Sequence, residues 1–574
     1  MRRSRAILPT TLLALVLGAV PAGAAPLAST GARANDAQTA PAEISGSRAP
    51  AAPQPVSPAF RTQQLNWQPC FDDPGPGLPP GGERLECSVM KAPLDWNHQA
   101  RGSIDIAVSR LRPAHGTPKN LLMTNPGGPG EPGVVVPLLF LDPTHTAVAN
   151  SSEIVGVDVR GTGNSSSLSC AGRTIGRDRD VRDRSRANVK AMLDSAQAMA
   201  RACQKASKPL GDFVNTAQTV RDFDLLRSLL GYERTNWFGF SAGTWLGAQY
   251  ATTFPRRAGR FVFDSSVPFT GSWQQLYALQ PMGFERRFRK DFLPWVAKYE
   301  QAYGLGGTAE SVRGGYEGVR TFLAEEPLIL EDGTVLTATT FDSLLAGSLY
   351  NKSLFPQAAE LLAGLNAAVG GIPARTAASK ELAARVSAVR AAARMPGAPA
   401  GAPDAVDATF YTVGCNDTPY YGNRLTLAAT SAAQGRLFPL IGWRTIAEPC
   451  AFWERPAVDL PKPTGRGVPP VLMVQSEHDP ATPMEGARQA AAGFANARLL
   501  RVTDEGDHML YGNGNPCVDR AVDSYLADGT LPRPGATCTG QPLPTPAMSA
   551  AATAAPGKRH GTAWLAAFAD RLSR

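Results

Sequence analysis

The strongest chemical signal in the sequence is a serine between two glycines, in the segment Gly239-Phe240-Ser241-Ala242-Gly243. A short apolar run before it predicts a buried strand, and a helical pattern follows it over 244–252. A serine at a sharp strand-to-helix turn exposes its hydroxyl, and the glycines remove side chains that would collide with neighbouring backbone. Because such a pattern arises easily by chance in a chain with 56 glycines, its position between strand and helix is what indicates a nucleophile.

A serine hydroxyl becomes nucleophilic when a base accepts its proton, so a histidine and an acid should accompany Ser241. Asp479 and His508 each directly follow a predicted strand, in the chain order serine, acid, histidine. His508 would accept the proton and later protonate the leaving group, while Asp479 would orient the imidazole. Of the six histidines, His478 is the main alternative, but it precedes the acid, which favours a surface or supporting role. The alternatives for the pair itself are a helix cap at Asp479 and a solvated loop at His508.

The tetrahedral intermediate of this chemistry carries a negative oxygen, which needs fixed N–H donors. The backbone N–H of Ala242 should be one donor, and the loop after the predicted strand at 121–123 should supply the other. This loop, Asn125-Pro126-Gly127-Gly128-Pro129-Gly130, has glycines that let the backbone approach a substrate and prolines that stiffen it. A tight turn without function is the alternative, but the loop occurs where the second donor is required.

Strands and helices alternate around these residues. Stretches of alternating polarity at 85–91 and 103–111 predict a hairpin, and later short apolar runs predict buried parallel strands. The alternation gives way to a mostly helical pattern over 268–460 and then resumes. We therefore predict an α/β-hydrolase fold, a mostly parallel doubly wound sheet with a large helical cap insertion. The core would comprise residues 61–267 and 461–540, with the cap between them.

The two ends of the chain differ from its body. Three arginines, an apolar run and a small-residue site predict a signal peptide at 1–24. The apolar run is shorter than the ~20 residues of a spanning helix, so we expect a secreted protein without an integral membrane span after cleavage. Residues 25–60 are rich in Ala, Pro, Ser and Thr and predict a disordered leader or propeptide outside the fold. Residues 541–574 are predicted to form a C-terminal tail, for which docking on the body is favoured over membrane contact, with disorder as a further alternative.

The eight cysteines suit an oxidising compartment and fall into four neighbouring couples. The predicted disulfides are Cys70–Cys87, Cys170–Cys203, Cys415–Cys450 and Cys517–Cys538. Some cysteines staying free is the alternative, because connectivity does not follow from sequence. No Cys-x-x-Cys pair indicates zinc, and we predict neither a metal nor a cofactor. The net charge of +8 comes without a Lys/Arg run interleaved with aromatics, which argues against nucleic-acid binding.

A further motif, Asp158-Val-Arg-Gly-Thr-Gly163, ends a predicted strand. It lacks the Lys-Ser/Thr pair that a phosphate-binding loop requires after its glycines. We predict that it supports the floor of the active site, with Arg160 in an ion pair.

Four motifs together resemble a known family. They are Asn125-Pro-Gly-Gly-Pro-Gly130, Asp158-Val-Arg-Gly-Thr-Gly163, Gly239-Phe-Ser-Ala-Gly243 and Asp479-Pro-Ala-Thr-Pro483. In this order behind a signal peptide they resemble the secreted tripeptidyl aminopeptidases related to proline iminopeptidases, over about residues 60–540. The resemblance implies a serine exopeptidase that acts near a free N terminus and releases tripeptides through an acyl-enzyme. It also implies that Gly128 and Ala242 supply the oxyanion donors.

An aminopeptidase must recognise a protonated α-amino group, so an acidic residue should project from the cap or its border. Asp417 and Glu448 are the candidates, and the predicted Cys415–Cys450 bond would hold them near each other. Ordinary solvated carboxylates are the alternative for each.

Other functions fit the same predicted triad. An esterase or lipase would use it with an apolar acyl pocket and no amine anchor, and an aminopeptidase could release single residues, including proline. A non-catalytic binding module is disfavoured, because all three members of the triad are present. We favour the exopeptidase, acting as a monomer on peptides with a free N terminus.

Overall fold

The computed structural model describes residues 55–71, 78–176, 178–330, 333, 335–370, 382–389 and 402–546. The predicted signal peptide, most of the predicted leader and residues 547–574 of the predicted tail lie outside these ranges. The strands are β1 (Gln68–Pro69), β2 (Glu86–Pro93), β3 (Ser103–Leu111), β4 (Asn120–Asn125), β5 (Ser152–Val157), β6 (Thr235–Ser241), β7 (Ala258–Ser266), β8 (Leu328–Ile329), β9 (Val335–Leu336), β10 (Val471–Ser476), β11 (Ala497–Thr503) and β12 (Thr537–Thr539).

Ten of these strands form one sheet in the order β1-β2-β3-β5-β4-β6-β7-β10-β11-β12. The pairs β1–β2, β2–β3 and β3–β5 are antiparallel, and every pair from β5 to β12 is parallel. The predicted hairpin is the β2–β3 pair. The prediction of a mostly parallel α/β-hydrolase sheet is confirmed.

The α-helices alternate with the strands in the core and dominate the segment between β7 and β10. They are α1 (Pro58–Arg61), α2 (Thr146–Ser151), α3 (Arg186–Ala206), α4 (Thr216–Leu229), α5 (Ala242–Thr253), α6 (Trp273–Arg287), α7 (Leu293–Lys298), α8 (Glu300–Tyr303), α9 (Ala309–Glu325), α10 (Ala338–Ser348), α11 (Phe355–Gly370), α12 (382–389), α13 (Ala405–Asp417), α14 (Arg424–Leu437), α15 (Met484–Gly493) and α16 (Pro516–Asp528). A π-helical turn, Phe288–Phe292, joins α6 to α7. Short 3₁₀ helices lie at Gly82–Arg84, Gln99–Arg101, Val136–Leu141, Pro143–His145, Leu210–Phe213, Pro255–Arg257, Lys352–Leu354, Gly442–Ile446 and Pro449–Phe452.

Helices cover both faces of the sheet. Because successive side chains of a strand point to opposite faces, one strand contributes to the hydrophobic cluster on each side. In β7, Phe261 joins the hydrophobic cluster that contains Phe223 of α4, whereas Val262 joins the cluster that contains Val522 of α16. Strands buried on both faces read as continuous apolar runs. This explains why these strands could be recognised in the sequence without a clear alternation.

The segment between β7 and β10 forms a helical cap with the small β8–β9 sheet. Its helices share a separate hydrophobic cluster, which includes Phe292, Val319, Leu345 and Leu361. Of the helical pattern at 377–393, the structure describes only the helix at 382–389. Helix α3, which follows β5, also packs against this segment, since its Met192 and Leu193 cluster with Leu427 of α14. The sequence pattern did not predict this contribution from outside 268–460.

Residues at both predicted borders of the fold are ordered parts of it. Residues 55–60, assigned to the leader from composition, include the start of α1, and Phe60 is buried in the core cluster. This corrects the leader border, because Phe60 is a large apolar side chain that the core can bury. In the tail, the carbonyl of Pro544 accepts a hydrogen bond of 2.7 Å from the Trp295 indole of the cap. Within the described residues, no helix combines the length and apolar character needed to cross a membrane.

Four disulfide bonds tie neighbouring segments together. They are Cys70–Cys87, Cys170–Cys203, Cys415–Cys450 and Cys517–Cys538, the pairs anticipated from the sequence. They close loops with sequence separations between 17 and 35 residues. The Cys415–Cys450 bond attaches the end of α13 to the segment that carries Glu448.

Candidate active site

Ser241 occupies the sharp turn between β6 and α5. Its φ of 56° and ψ of −129° are sparsely populated for a residue with a side chain, and such strain is common at active sites. A Cβ on Gly239 would lie 2.5 Å from the Gly243 carbonyl oxygen, and one on Gly243 would lie 2.4 Å from the Asn125 carbonyl oxygen. Both glycines of the motif are therefore required by close backbone packing, as the sequence predicted.

His508 and Asp479 are hydrogen-bonded at the same edge of the sheet. His508 Nδ1 lies 3.0 Å from Asp479 Oδ2 and 3.1 Å from Oδ1. Since a carboxylate only accepts hydrogen bonds, Nδ1 carries the proton and Nε2 is left as the basic nitrogen.

The Asp479 carboxylate is fully buried and held by the turn that follows it. The backbone N–H groups of Ala481 and Thr482 donate to Oδ1 at 2.9 and 2.8 Å, and the Thr482 hydroxyl donates to Oδ2 at 2.9 Å. The same hydroxyl lies 3.3 Å from His508 Nδ1. Thr482 is a supporting residue that sequence reasoning missed, although it stands within the Asp-Pro-Ala-Thr-Pro motif.

The His508 loop is attached to strand β7, directly beside the strand that carries the serine. Met509 N–H donates to Ser265 Oγ at 2.8 Å, and Leu510 N–H donates to Asp264 Oδ2 at 2.9 Å. Ser266, the last residue of β7, is the register partner of Ser241. Among the described residues no hydrogen bond joins the Ser241 hydroxyl to His508, and this contact often tightens only when substrate is bound.

The surroundings of His508 raise the pKa of its imidazole above the ordinary value of 6.5. Burial lowers this pKa, but the charge and hydrogen bond of Asp479 and the charge of Asp264 together outweigh burial. Burial in turn raises the pKa of the Asp264 carboxyl to about 6. The site therefore favours the imidazolium form that a general base passes through during catalysis.

The glycine-rich loop lies against the serine turn. Gly127, Gly128 and Gly130 all have φ between 94° and 100°, a region that residues with side chains rarely adopt. A Cβ on Gly127 would lie only 2.7 Å from the backbone nitrogen of Ala242. The segments that carry the two predicted oxyanion donors, Gly128 and Ala242, are thus in direct contact.

The Asp158 motif is hydrogen-bonded to the segment that follows this loop. The Asp158 carboxylate accepts hydrogen bonds from the N–H groups of Gly133 and Val134 at 2.7 and 3.1 Å. Arg160 is completely buried and makes a two-pronged ion pair with Asp222, with both distances at 2.7 Å. The predicted ion pair of Arg160 is present.

The two predicted amine-binding carboxylates have different surroundings. Asp417 is buried, and its oxygens accept hydrogen bonds from the Thr216 N–H and hydroxyl at 2.7 and 2.6 Å and from the Trp273 indole at 3.2 Å. These contacts favour a structural role over amine binding. Glu448 is half-buried and, among the described residues, accepts a single hydrogen bond, from the Cys450 N–H at 3.0 Å. Burial raises the pKa of Glu448 to about 7.

Glu448 also belongs to a group of possible metal ligands. The ligand atoms of Cys415, Glu448 and Cys450 lie within 4.8 Å of one another. Both sulfur atoms are used in the Cys415–Cys450 disulfide bond, so this group does not fit a metal ion.

Glu131 is a carboxylate at the site that sequence reasoning missed. It follows the glycine-rich loop directly, and its Cγ would lie 3.2 Å from a Cβ on Gly128. The side chain is half-buried and makes no hydrogen bond or ion pair with any residue the structure describes. Burial, with a smaller contribution from the charge of Asp407, raises the pKa of Glu131 to about 7. An acidic residue beside an oxyanion loop was the signal that could have identified it.

Comparisons with known proteins show what the whole chain resembles. A family model described as an alpha/beta hydrolase fold matches residues 121–298, and one described as a TAP-like protein matches residues 439–538. A tripeptidyl aminopeptidase of Streptomyces lividans is 31% identical over 497 residues, which cover 84% of this chain and 88% of that protein. Serine protease Hip1 of Mycobacterium tuberculosis is 24% identical over 499 residues, covering 83% and 91% of the two chains. Carboxylesterase B of the same species is 27% identical over 543 residues, covering 91% and 96%.

The doubly wound sheet and the first family model define this protein as an α/β hydrolase. With 31% identity across most of both chains, it belongs to the tripeptidyl aminopeptidase family. It is a hydrolytic enzyme, and its relatives place it in the serine peptidase class of this fold.

Proposed function

We propose that this protein is a secreted serine exopeptidase that releases tripeptides from the free N terminus of peptides, through a triad of Ser241, His508 and Asp479. The observation that supports this most directly is the hydrogen bond of 3.0 Å between His508 and Asp479, at the edge where β6 ends in Ser241. The tripeptidyl aminopeptidase relative supports the choice of substrate. The signal-peptide pattern at 1–24 and the four disulfides support secretion.

The first half of the reaction forms an acyl-enzyme. Ser241 Oγ attacks the scissile carbonyl carbon while His508 Nε2 takes the hydroxyl proton. The backbone N–H groups of Gly128 and Ala242 bind the negative oxygen of the tetrahedral intermediate. When the C–N bond breaks, His508 gives its proton to the leaving amine, and the N-terminal fragment stays on Ser241 as an ester.

The second half releases the fragment. A water molecule loses a proton to His508 Nε2 and attacks the ester carbonyl, and the same two N–H groups bind the new oxyanion. The intermediate collapses, the proton returns to Ser241 Oγ, and the fragment leaves with a free carboxylate. Asp479 orients the imidazole and stabilises its charged form throughout.

Amine recognition requires a carboxylate near the bound N terminus. Glu448 and Glu131 are the two candidates, because each is half-buried and lacks a cationic partner among the described residues. A substrate ammonium would supply the charge that neither receives from the protein. A hydrogen bond to a charged group contributes about 1.5–3 kcal/mol, so the preference for a free N terminus should be about 10–100-fold.

The test compares a fluorogenic tripeptide amide with a free N terminus to the same compound with an acetylated N terminus. We expect kcat/KM to favour the free amine, and we expect Glu448→Gln or Glu131→Gln to reduce that preference. Glu325→Gln, at an exposed position on α9, is the matched control. Equal rates on both substrates would contradict amine recognition.

A longer unblocked peptide tests the register of cleavage. Mass spectrometry should show successive losses of three residues from its N terminus. Ser241→Ala should abolish turnover while the protein still folds, and retained turnover would place the nucleophile elsewhere. Loss of single residues would contradict tripeptide release and favour a simple aminopeptidase.

An esterase is the second candidate function, because carboxylesterase B is 27% identical over most of both chains. It would use the same triad but not the amine anchor. A higher kcat/KM on short acyl esters than on any unblocked peptide amide would favour this function.

A further inference from the structure

Arg287 is a buried arginine of the cap that contacts the catalytic edge of the core. It is the last residue of α6, and only 1% of its surface is exposed. Its Nη2 donates to Asp507 Oδ1 at 2.5 Å, and its Nη1 donates to Asp291 Oδ2 at 2.7 Å. One guanidinium therefore joins two carboxylates that belong to different parts of the fold.

Each of these carboxylates leads to a member of the proposed triad. Asp507 is the residue immediately before His508 and also accepts a hydrogen bond of 2.7 Å from the Lys352 N–H of the cap. Asp291 lies 3.0 Å from His478 Nδ1, and His478 is the residue immediately before Asp479. The guanidinium is thus linked to both loops that must meet to form the His508–Asp479 hydrogen bond.

The fit around the guanidinium is close. A Cβ on Gly506 would lie 2.0 Å from Arg287 Nη1 and 2.5 Å from Cζ. On the other side, Arg287 Cζ lies 5.0 Å from the centre of the Phe355 ring, within cation–π range. A lysine lacks the planar fork that bonds to two carboxylates at once, so it would not reproduce these contacts.

We propose that Arg287 is a positioning residue, which holds the His508 loop and the His478–Asp479 turn in register and so maintains the geometry of the triad from the cap. The two loops follow different strands, β11 and β10, and contact each other directly where the His478 N–H donates to the Glu505 carbonyl at 2.8 Å. Arg287 adds a charged link between them, which runs through Asp507 to the His508 loop and through Asp291 to His478. The proposal rests on the triad of the proposed function. It adds that a residue of the cap contributes to the chemistry.

Stability alone is a weak explanation for such a group. Burying an ion pair costs desolvation free energy that its attraction often fails to recover, so a hydrophobic replacement can be as stable. A purely structural arginine and a positioning arginine therefore predict different outcomes. Removing the first lowers Tm without changing the chemistry of the folded enzyme, whereas removing the second changes kcat and its pH dependence.

The experiment measures kcat, KM, Tm and the pH profile of kcat/KM for Arg287→Lys. We expect kcat to fall about 10–100-fold with little change in KM, because small displacements of catalytic groups have effects of this size. The acid limb of the profile should move to lower pH, because a weaker contact with Asp479 no longer raises the pKa of His508. Arg286→Lys is the matched control, since the adjacent Arg286 pairs with Glu485 at a more exposed position.

Gly506→Ala provides a second, independent variant that keeps every charge. Its Cβ would displace the guanidinium, and Gly506 does not have a positive φ that would strain alanine. We expect it to reproduce the fall in kcat and the shift of the acid limb. A lower Tm with unchanged kcat and an unchanged acid limb in these variants would overturn the proposal.

Ser241→Ala separates this outcome from a failure of the proposed function. If Ser241→Ala is inactive while Arg287→Lys and Gly506→Ala retain wild-type kcat and pH profile, only the role of Arg287 is contradicted. If Ser241→Ala remains active, the triad is contradicted and the positioning role is overturned with it. A short acyl ester measured in parallel shows whether the effect of Arg287→Lys is independent of amine recognition.

Discussion

At the scale of single residues, the imidazole of His508 should set the lower end of the working pH range. The base must be neutral to accept the serine proton, and its pKa lies above 6.5 because Asp479 and Asp264 outweigh the opposite effect of burial. We therefore expect kcat/KM to rise with pH through a midpoint above 6.5, measured on the fluorogenic tripeptide amide.

Asp479→Asn is the control for this assignment. It should lower kcat by roughly four orders of magnitude, as loss of the orienting carboxylate does in other serine hydrolases. The acid limb of its pH profile should move to lower pH, because the charge of Asp479 no longer raises the pKa of His508. An acid limb that stays at the wild-type position in Asp479→Asn would show that another group titrates.

The sequence could single out the three residues of the proposed triad because each stands at the end of a strand, where a chemical motif and a structural pattern coincide. Thr482 and Glu131 lie inside or directly beside the same motifs, but their roles depend on side-chain direction, which spacing does not encode. Asp417 shows the opposite case. Its position in the sequence suggested amine binding, but its carboxylate already accepts hydrogen bonds from Thr216 and Trp273.

At the scale of elements, the contact between the serine turn and the glycine-rich loop should tolerate no added side chain. In Gly243→Ala the new Cβ would lie 2.4 Å from the Asn125 carbonyl oxygen, so the loop must move away from α5. We expect a loss of about 1–3 kcal/mol in unfolding free energy and a large loss of kcat, because the two proposed oxyanion donors, Gly128 and Ala242, would separate. Urea unfolding and steady-state kinetics measure the two effects.

Gly318→Ala is the matched control, because a Cβ at this position in α9 has no neighbour within 4 Å. Alanine there should raise the unfolding free energy by about 0.5–1 kcal/mol, since it restricts the unfolded chain. Equal kcat values for Gly243→Ala and the wild type would contradict the tight loop contact.

The strand-turn-helix units of the core were predictable because local periodicity, turn residues and burial agree in each of them. The cap was predictable only as a helical insertion. Its contacts with the rest of the chain depend on single side chains, such as Arg287 with Asp507 of the core and Trp295 with Pro544 of the tail, which no periodic pattern marks. The packing of α3 against α14 likewise joins segments more than two hundred positions apart in the chain.

At the scale of the whole molecule, the four disulfides should make stability depend on redox conditions. In the chain-entropy model, closing a loop the size of Cys415–Cys450 contributes about 3–4 kcal/mol. We expect Cys415→Ser with Cys450→Ser to lower the unfolding free energy by this amount, measured by urea unfolding in oxidising buffer.

The same double variant in reducing buffer provides the control. Reduction should lower the stability of the wild type more than that of the variant, because one bond is already absent. If the stability of the wild type were insensitive to reduction, the disulfides would not constrain the unfolded chain.

The backbone N–H of His508 donates to the carbonyl of Tyr350 at 2.8 Å, and Tyr350 belongs to the cap. This has a consequence for protein engineering within the family. A chimera that exchanges caps to alter specificity would also replace Tyr350, whose carbonyl accepts the hydrogen bond from the backbone of His508, the proposed general base. Such transplants should therefore succeed only when the segment around Tyr350 stays with its own core.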